Sequence, residues 1–197
     1  QNTVSALSRG VFPTCTPQQQ GGWDCVYCRV ERMRRDPVEL IIPDISSQSL
    51  IDEIEQPNSR PHIQSFLRRC AGLMLLVDSS RLEEWQRDQD ALAVQVVSYL
   101  SELEPNRQRG WFSRPVSIVF TKGDQSSVLY SDPLAYAKAH TPELVNICRH
   151  RMKSAEFFTS SVVGSCGRAG NSAPIPLRIE PSGVVEPFKW LVNRVAQ

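Results

Sequence analysis

The chain has 197 residues, 41% of them hydrophobic, which is enough for one well-packed domain and short for two. Its 22 Lys and Arg nearly balance its 21 Asp and Glu, so the composition provides no overall field that would attract nucleic acid or an anionic membrane. No apolar stretch approaches the roughly 20 residues of a membrane-spanning helix, and no secretory signal pattern opens the chain. We expect a single domain over residues 1–197, soluble and located in the cytoplasm.

The six cysteines are expected to be reduced thiols. Only Cys25 and Cys28 form a C-x-x-C pair, and neither a second pair nor a nearby histidine completes a zinc site. If residues 23–34 form a strand, these two side chains also point to opposite faces, which opposes shared ligation of a metal. Partly buried free thiols agree with a reducing compartment.

The first predicted elements are a β-hairpin, a helix and a strand. Residues 23–34 alternate unevenly between apolar and polar, and a turn at 34–37 (Arg-Arg-Asp-Pro) separates them from the segment 38–44 (Val-Glu-Leu-Ile-Ile-Pro-Asp). A helix is predicted over 61–70. Residues 71–78 then form a continuous apolar run that ends in an acid, which is typical of a strand buried on both faces of a parallel sheet.

A long helix separates this strand from the next one. Apolar residues recur at spacings of three, four or seven between Leu82 and Leu103, and this spacing indicates one buried helical face. Ser79 or Ser80 is expected to supply the N-cap of this helix. The apolar run Val116–Phe120 follows, and it predicts another buried strand.

The remaining segments complete an alternating pattern. A shorter strand is predicted over 155–159, and helices are predicted over 132–150, with a break near Thr141, and over 186–195. The stretch 165–184 is rich in Gly, Pro and Ser and is interpreted as an irregular loop. Strands that alternate with helices predict an α/β fold, with a mostly parallel sheet, helices on both faces and one antiparallel hairpin.

Polar residues follow three of these strands at the point where each strand ends. Asp44, Asp78 and the turn Thr121–Asp124 (Thr-Lys-Gly-Asp) all lie at carboxyl ends, the edge at which such folds bind ligands. The Asp124 carboxylate can accept two hydrogen bonds from a planar base that carries a ring N–H and an amino group. The stem of Lys122 can lie along the face of the same ring. The geometry of this turn therefore suits a base, although a Lys and an Asp after a strand are also common in surface turns.

The chain resembles the P-loop GTPases, most closely the Ras-like group, with the bacterial double-GTPase families as a second comparison. Four segments occur in the order of that superfamily. Pro13–Pro17 is similar to the first switch loop, and Asp44–Gln48 is similar to the second switch, normally Asp-x-x-Gly followed by Gln. Thr121–Asp124 is similar to Asn-Lys-x-Asp, and Thr159–Ser161 is similar to the Ser-Ala turn behind the base.

The resemblance implies a role for each matching residue. Thr16, chosen over Thr14, and Asp44 would bind Mg²⁺ directly or through water, because this ion prefers oxygen ligands and keeps several waters. Gln48 would orient the water that attacks the γ-phosphate if hydrolysis occurs. The residues implied in nucleotide binding are Thr121, Lys122, Asp124, Ser160 and Ser161. We therefore expect a guanine-nucleotide-binding switch that uses Mg²⁺ with GTP or GDP and contacts a protein effector or regulator.

Three positions depart from the pattern of the superfamily. Ser47 replaces the Gly whose backbone N–H lies close to the γ-phosphate. Thr121 replaces the Asn that braces neighbouring loops, and Ser161 places a hydroxyl where the pattern has Ala. These changes leave base recognition as the expectation and weaken the case for hydrolysis.

The phosphate-binding motif of the superfamily is missing. No G-x-x-x-x-G-K-[ST] occurs in the 197 residues, so nothing in them cradles the α- and β-phosphates. The strand before this loop is missing too, and in Ras-like domains it lies between the strands that end here at Asp44 and Asp78. Either the given sequence begins just after the loop, which we favour because residues 2–7 read like the later turns of a helix, or the protein is a degenerate GTPase scaffold without nucleotide.

A metal-dependent interaction module of the von Willebrand A type is the alternative from another class. That module shares the layout and holds a metal with Asp-x-Ser-x-Ser after a strand. Residues 44–48 and 78–82 each fail at the last position of that pattern. This alternative also leaves Lys122 and Asp124 without a role. If Asp44 binds no metal, it is an ordinary turn or capping residue after a strand.

Overall fold

The structure, a computed structural model, describes residues 25–32, 35–84, 86–103, 112–125, 127–167 and 175–196. Of these, 25–67 form one compact unit and 68–196 form a second. The single-domain organisation stays a prediction. Among the described helices, none combines the length and the apolar character that crossing a membrane requires. Thr16, with the rest of the first switch-like segment, lies outside the described residues.

The unit of residues 25–67 begins with the predicted β-hairpin. Strands β1 (Cys25–Arg32) and β2 (Arg35–Pro43) pair antiparallel, with Tyr27 opposite Ile41. Cys25 and Cys28 both lie on β1, three positions apart, so they point to opposite faces as expected. The hairpin prediction is confirmed.

Two helices follow the hairpin, α1 (Ser47–Glu55) and α2 (Pro61–Arg69). The helix over 61–70 was predicted, whereas α1 was not. Its N-cap is Ser46, whose Oγ accepts a hydrogen bond from Ser49 N at 3.2 Å. The segment that resembles a second switch therefore runs into a helix within four residues of Asp44.

A buried carboxylate holds the turn between these two helices. Glu53 on α1 is fully buried and accepts hydrogen bonds from the backbone of Asn58 at 3.0 Å and of Arg60 at 2.6 Å. Asn58 has left-handed backbone with φ 74°. Arg60 in turn donates to Asp52 at 3.0 Å. The carboxylate thus satisfies backbone N–H groups at the start of α2, where a helix leaves such donors unpaired.

The unit of residues 68–196 is built on a parallel sheet. Its strands are β3 (Leu73–Asp78), β4 (Val116–Thr121) and β5 (Ala155–Thr159), in the spatial order β3-β4-β5. Leu73 lies beside Val116, and Val116 lies beside Ala155, so the three strands start level with one another. Together with the hairpin, this sheet confirms the predicted α/β class in its coarse form.

Helices cover both faces of this sheet. The helices of the unit are α3 (Ser79–Glu84), α4 (Gln86–Leu103), α5 (Ser127–Ser131), α6 (Pro133–His140), α7 (Pro142–Arg151) and α8 (Glu186–Val195). On one face Phe120 packs edge-on against Tyr136 of α6, with ring centroids 5.4 Å apart. On the other face Phe158 packs edge-on against Trp190 of α8, at 5.9 Å. The central strand is buried from Val116 to Phe120, as a continuous apolar run predicts.

The helical predictions hold with small changes of boundary. The predicted stripe supplies core residues, since Leu82, Val96, Tyr99 and Leu103 are all buried. The break near Thr141 is confirmed, because α6 ends at His140 and α7 begins at Pro142.

The interpretation of 165–184 as an irregular loop was wrong in part. Strands β6 (Ser165–Gly167) and β7 (Ile175–Arg178) pair antiparallel within it. Short strands in a stretch rich in Gly and Pro escape detection because too few alternating residues are present to show a period of two. After β7 the chain returns to the sheet, where Ser182 bridges Ser161.

Candidate functional site

The carboxyl ends of the three parallel strands bring the candidate base-reading residues to one edge. Asp78 at the end of β3 lies beside Thr121 at the end of β4, and Phe120 lies beside Thr159 at the end of β5. The turn Gly123–Gln125 is a single 3₁₀ turn that follows β4 directly. The sequence predicted that Asp78 and the turn after β4 would share this edge, and the structure shows it. The same prediction for Asp44, which lies in the other compact unit, stays a prediction.

Lys122 points back across the sheet edge to the neighbouring strand end. Its Nζ lies 2.7 Å from Asp78 Oδ2 and 3.2 Å from Ser80 Oγ. Asp78 Oδ1 also accepts hydrogen bonds from the backbone and the hydroxyl of Ser80. Burial alone would raise the pKa of Asp78, but the hydrogen bonds from Lys122 and Ser80 outweigh it and hold that pKa below its ordinary value. Asp78 is therefore ionised at neutral pH.

The turn after β4 is fixed by backbone contacts to both neighbouring strand ends. Ser79 Oγ donates to Thr121 O at 2.7 Å, Gly123 N donates to Ser160 O at 3.0 Å, and Ser160 N donates to Phe120 O at 2.9 Å. A Cβ at Gly123 would overlap Thr159 Oγ1, so any other residue here would require the Thr159 side chain to rotate away. Thr159 Oγ1 is itself buried and makes no hydrogen bond to any residue that the structure describes.

The Asp124 carboxylate is oriented by one buried hydroxyl. Ser161 is 3% exposed, and its Oγ donates to Asp124 Oδ1 at 2.5 Å. The same Oγ lies 2.7 Å from the carbonyl of Val163. Within the described ranges, no donor contacts Asp124 Oδ2. Ser161 therefore holds one oxygen of the carboxylate, and the other has no donor among the residues that the structure describes.

Two of the predicted residues lie in the other compact unit. Asp44 is exposed and follows β2, and Gln48 is exposed in the first turn of α1. The Gln48 amide donates to Asp52 Oδ1 at 2.9 Å. Hydrogen bonds from Gln48 and Arg60 lower the pKa of Asp52. The implied roles of Asp44 and Gln48 toward metal and water stay predictions.

The predicted magnesium ligands Thr16 and Asp44 stay a prediction, because Thr16 lies outside the described residues. Over those ranges no group of three or more Asp, Glu, His or Cys side chains converges. The carboxylate at the end of β3, Asp78, is neutralised by an ammonium group, which is the wrong chemistry for holding a cation. No chemical step through a metal is assigned to these residues.

The sequence did not predict that Asp78 would pair with Lys122 or that Ser79 would hydrogen-bond to the backbone of Thr121. Asp78 accepts a hydrogen bond from the backbone of Ser80, and it is also the partner of Lys122. The signal that could have found this pair is the strand order, because a Lys one residue beyond β4 faces the last residue of β3 when the two strands end level. Of the two candidate serines behind the base, Ser161 supplies its side chain and Ser160 supplies backbone groups.

Comparison of the chain with protein-family models, with curated proteins and with solved structures found no match. The case for a function therefore depends on the chemistry at this sheet edge. The edge presents an acid with one oxygen available, a lysine held beside it, and closely packed backbone turns on either side.

Proposed function

We propose that this protein binds guanine nucleotides and acts as a switch domain of the Ras-like GTPase type. The orientation of Asp124 carries the proposal. Its carboxylate is fixed through Oδ1 by Ser161, while Oδ2 points to no donor among the described residues. A carboxylate has about four lone-pair sites, so Oδ2 and the second lone pair of Oδ1 can accept two hydrogen bonds side by side, from the ring N–H and the 2-amino group of guanine. Adenine presents no such pair of donors.

The position of Lys122 supports the same function. Its tip is anchored on Asp78, so its methylene stem spans the edge from the end of β4 to the end of β3. An apolar stem beside an acid suits a flat ring that hydrogen-bonds at its edge and packs on its face. The half-exposed side chain, at 51%, remains accessible to such a ring.

The strand order is also compatible with a Ras-like domain. The hairpin precedes a parallel sheet in which, among the described strands, β3 pairs on one side only. The resemblance expects the first strand of a Ras-like domain to lie beside β3, on the side away from β4. This agreement supports the proposal without depending on any residue of the phosphate site.

The Lys122 contact disfavours the von Willebrand A alternative. In that class the oxygens corresponding to Asp78 and Ser80 hold a metal ion. Here the ammonium of Lys122 lies 2.7 Å from Asp78 Oδ2 and 3.2 Å from Ser80 Oγ, the space that such an ion requires. Hydrolysis is not part of the proposal, because no phosphate-binding motif occurs in the sequence and the Gln48 amide is engaged with Asp52.

The test is calorimetric titration of the full-length protein with GDP, ADP and XDP. We expect GDP to bind at least about tenfold more tightly than ADP, since hydrogen bonds to a charged group contribute about 1.5–3 kcal/mol each. Asp124→Asn should weaken GDP and strengthen XDP, because the amide can donate to the second carbonyl of xanthine.

The matched control is Asp132→Asn. Asp132 is an exposed acid of the same unit that caps α6 by accepting from Ala135 N, and Asn is an equally good cap. This variant should leave all three affinities unchanged. Equal affinity for GDP and ADP would refute base reading, and no binding of any nucleotide would favour the degenerate scaffold.

A further inference from the structure

A short segment that returns from the β6–β7 hairpin packs against the loop that follows β5. Ser161 N donates to Ser182 O at 2.9 Å, and Ser182 N donates to Ser161 O at 2.8 Å. These two reciprocal bonds form a single antiparallel bridge. Residue 161 is therefore held by its backbone on one side and contacts Asp124 through its hydroxyl on the other.

The residue after Ser182 must be glycine for this contact to form. Gly183 has left-handed backbone, with φ 64°. A Cβ there would overlap the carbonyl oxygen of Thr159 and would lie 3.1 Å from its carbonyl carbon and 3.3 Å from the Cα of Ser160. All three are backbone atoms, which cannot rotate away as a side chain can. Any side chain at 183 would push the returning segment and the 159–161 loop apart.

The 159–161 loop also determines where the turn after β4 lies. Ser160 O accepts from Gly123 N, and Thr159 Oγ1 occupies the space that a Cβ of Gly123 would need. A displacement of this loop therefore moves both the backbone beside Asp124 and the hydroxyl that orients its carboxylate. The contacts run without a gap from Gly183 to Asp124.

We infer that Ser182 and Gly183 are positioning residues for the base-reading turn, and that the inserted β6–β7 hairpin returns to the sheet to brace that turn. The contacts alone support the first part, that Ser182 and Gly183 hold the 159–161 loop and the turn after β4 in place. The identity of the ligand whose selectivity is affected rests on the proposed function. Gly183 acts through Ser161 and does not itself contact a ligand.

The first test is amide hydrogen exchange, measured by NMR in the nucleotide-free, full-length protein. Gly183→Ala should accelerate exchange at Ser161 N and Gly123 N about tenfold or more, with little change at the central strand amide of Ile118. Gly72→Ala is the control, because the three atoms nearest to a Cβ there belong to side chains, those of Val195, Leu191 and Pro115 at 3.2, 3.3 and 3.4 Å. Unchanged exchange at Ser161 and Gly123, or a uniform increase throughout the unit, would overturn the inference.

A second measurement uses the wild-type protein and so does not depend on the variant folding. In mild urea, the amides of Ser182, Ser161 and Gly123 should lose protection together, with one common opening free energy. Each of these three N–H groups has its acceptor within the interlocked segments. If Ser182 opened while Gly123 stayed protected, the returning segment would not be bracing the turn.

The third measurement is nucleotide selectivity. Gly183→Ala should reduce the preference for GDP over ADP about tenfold at a temperature where the variant is folded, whereas Gly72→Ala should preserve it. If the wild type shows no such preference while the exchange results are as expected, the proposed function fails and the bracing contact stands. If the wild type has the preference and Gly183→Ala retains it in full, the positioning role is refuted.

Discussion

The two compact units hold their polar side chains in different ways. At the sheet edge of residues 68–196, the contacts join residues that are far apart in the sequence. Lys122 contacts Asp78 across a separation of 44 positions, and Ser161 contacts Asp124 across a separation of 37. In residues 25–67, Gln48 contacts Asp52 four positions away, and Glu53 contacts Arg60 seven positions away. The first arrangement exists only when the sheet is folded, and the second belongs to a helix and its turn. The residues proposed to read a base are therefore assembled by tertiary structure, whereas the Gln48 contact is local.

The largest effect should come from removing the core beneath the sheet edge. Phe120 is fully buried, contacts Tyr136 and stacks on Phe157 with centroids 6.2 Å apart. Phe120→Ala should lower the free energy of unfolding by about 3–5 kcal/mol, because it leaves a cavity beside two aromatic rings. Urea unfolding followed by fluorescence measures this loss.

The control for that change comes from the other unit. Tyr27 lies on the hairpin and is 60% exposed, so Tyr27→Ala should cost well under 1 kcal/mol. If the two variants lost comparable free energy of unfolding, the sheet would not be more tightly packed than the exposed hairpin.

An intermediate effect is expected from the buried carboxylate between α1 and α2. Glu53→Ala should destabilise residues 25–67 by about 2–3 kcal/mol, because it leaves the backbone N–H groups of Asn58 and Arg60 without their charged acceptor. Glu55, exposed two positions later on the same helix, is the matched control. Hydrogen exchange at the Asn58 and Arg60 amides locates the change. Equal effects of Glu53→Ala and Glu55→Ala would show that the turn is held by something else.

The smallest effect concerns the Lys122–Asp78 pair. Because the folded-state pKa of Asp78 is lowered, its contribution to stability is present above the ordinary value of 3.8 and is lost as the pH falls through the folded pKa. Lys122→Met should raise the pKa of Asp78 and cost at most about 1 kcal/mol at neutral pH, since a half-exposed ion pair is screened by solvent.

Carbon-13 NMR of the Asp78 carboxyl measures that pKa, and urea unfolding at neutral and at acidic pH measures the free energy. The wild type and Lys122→Met should converge in stability as the pH falls. Lys189→Met, at an exposed position of α8, should leave the Asp78 titration unchanged. A stability difference that persists undiminished at acidic pH would mean that Lys122 acts through packing and not through its charge.

Elements with a strong apolar period could be predicted from the sequence. The strands over 116–121 and 155–159 and the helix over 186–195 were found within one residue of their observed bounds. The helix α1 was missed because Asp44–Gln48 was interpreted as a switch loop. Yet Leu50, Ile51 and Ile54 repeat at helical spacing directly after the capping Ser46. The resemblance of this segment to a switch loop was given more weight than the helical spacing of the apolar residues that follow it.

The side-chain contacts of the candidate site could be predicted only in part. Strand order indicated which residues would share an edge, because level parallel strands end together. It did not indicate that the hydroxyl of Ser161, and not that of Ser160, would hold Asp124, since this depends on backbone geometry after β5. It also gave no sign that Ser182, twenty-one positions further along, returns to the same loop, because a single bridge has no sequence period.

The backbone of Lys122 adopts a conformation that residues other than glycine rarely adopt. Lys122 lies at φ 59°, in the left-handed region, where a residue with a Cβ is less stable by roughly 1–2 kcal/mol. Glycine or asparagine would occupy that backbone with less strain, yet neither carries an ammonium group on a four-carbon stem. A lysine stands there instead, and the contacts of its ammonium group with Asp78 and Ser80 offset part of the backbone strain at this position.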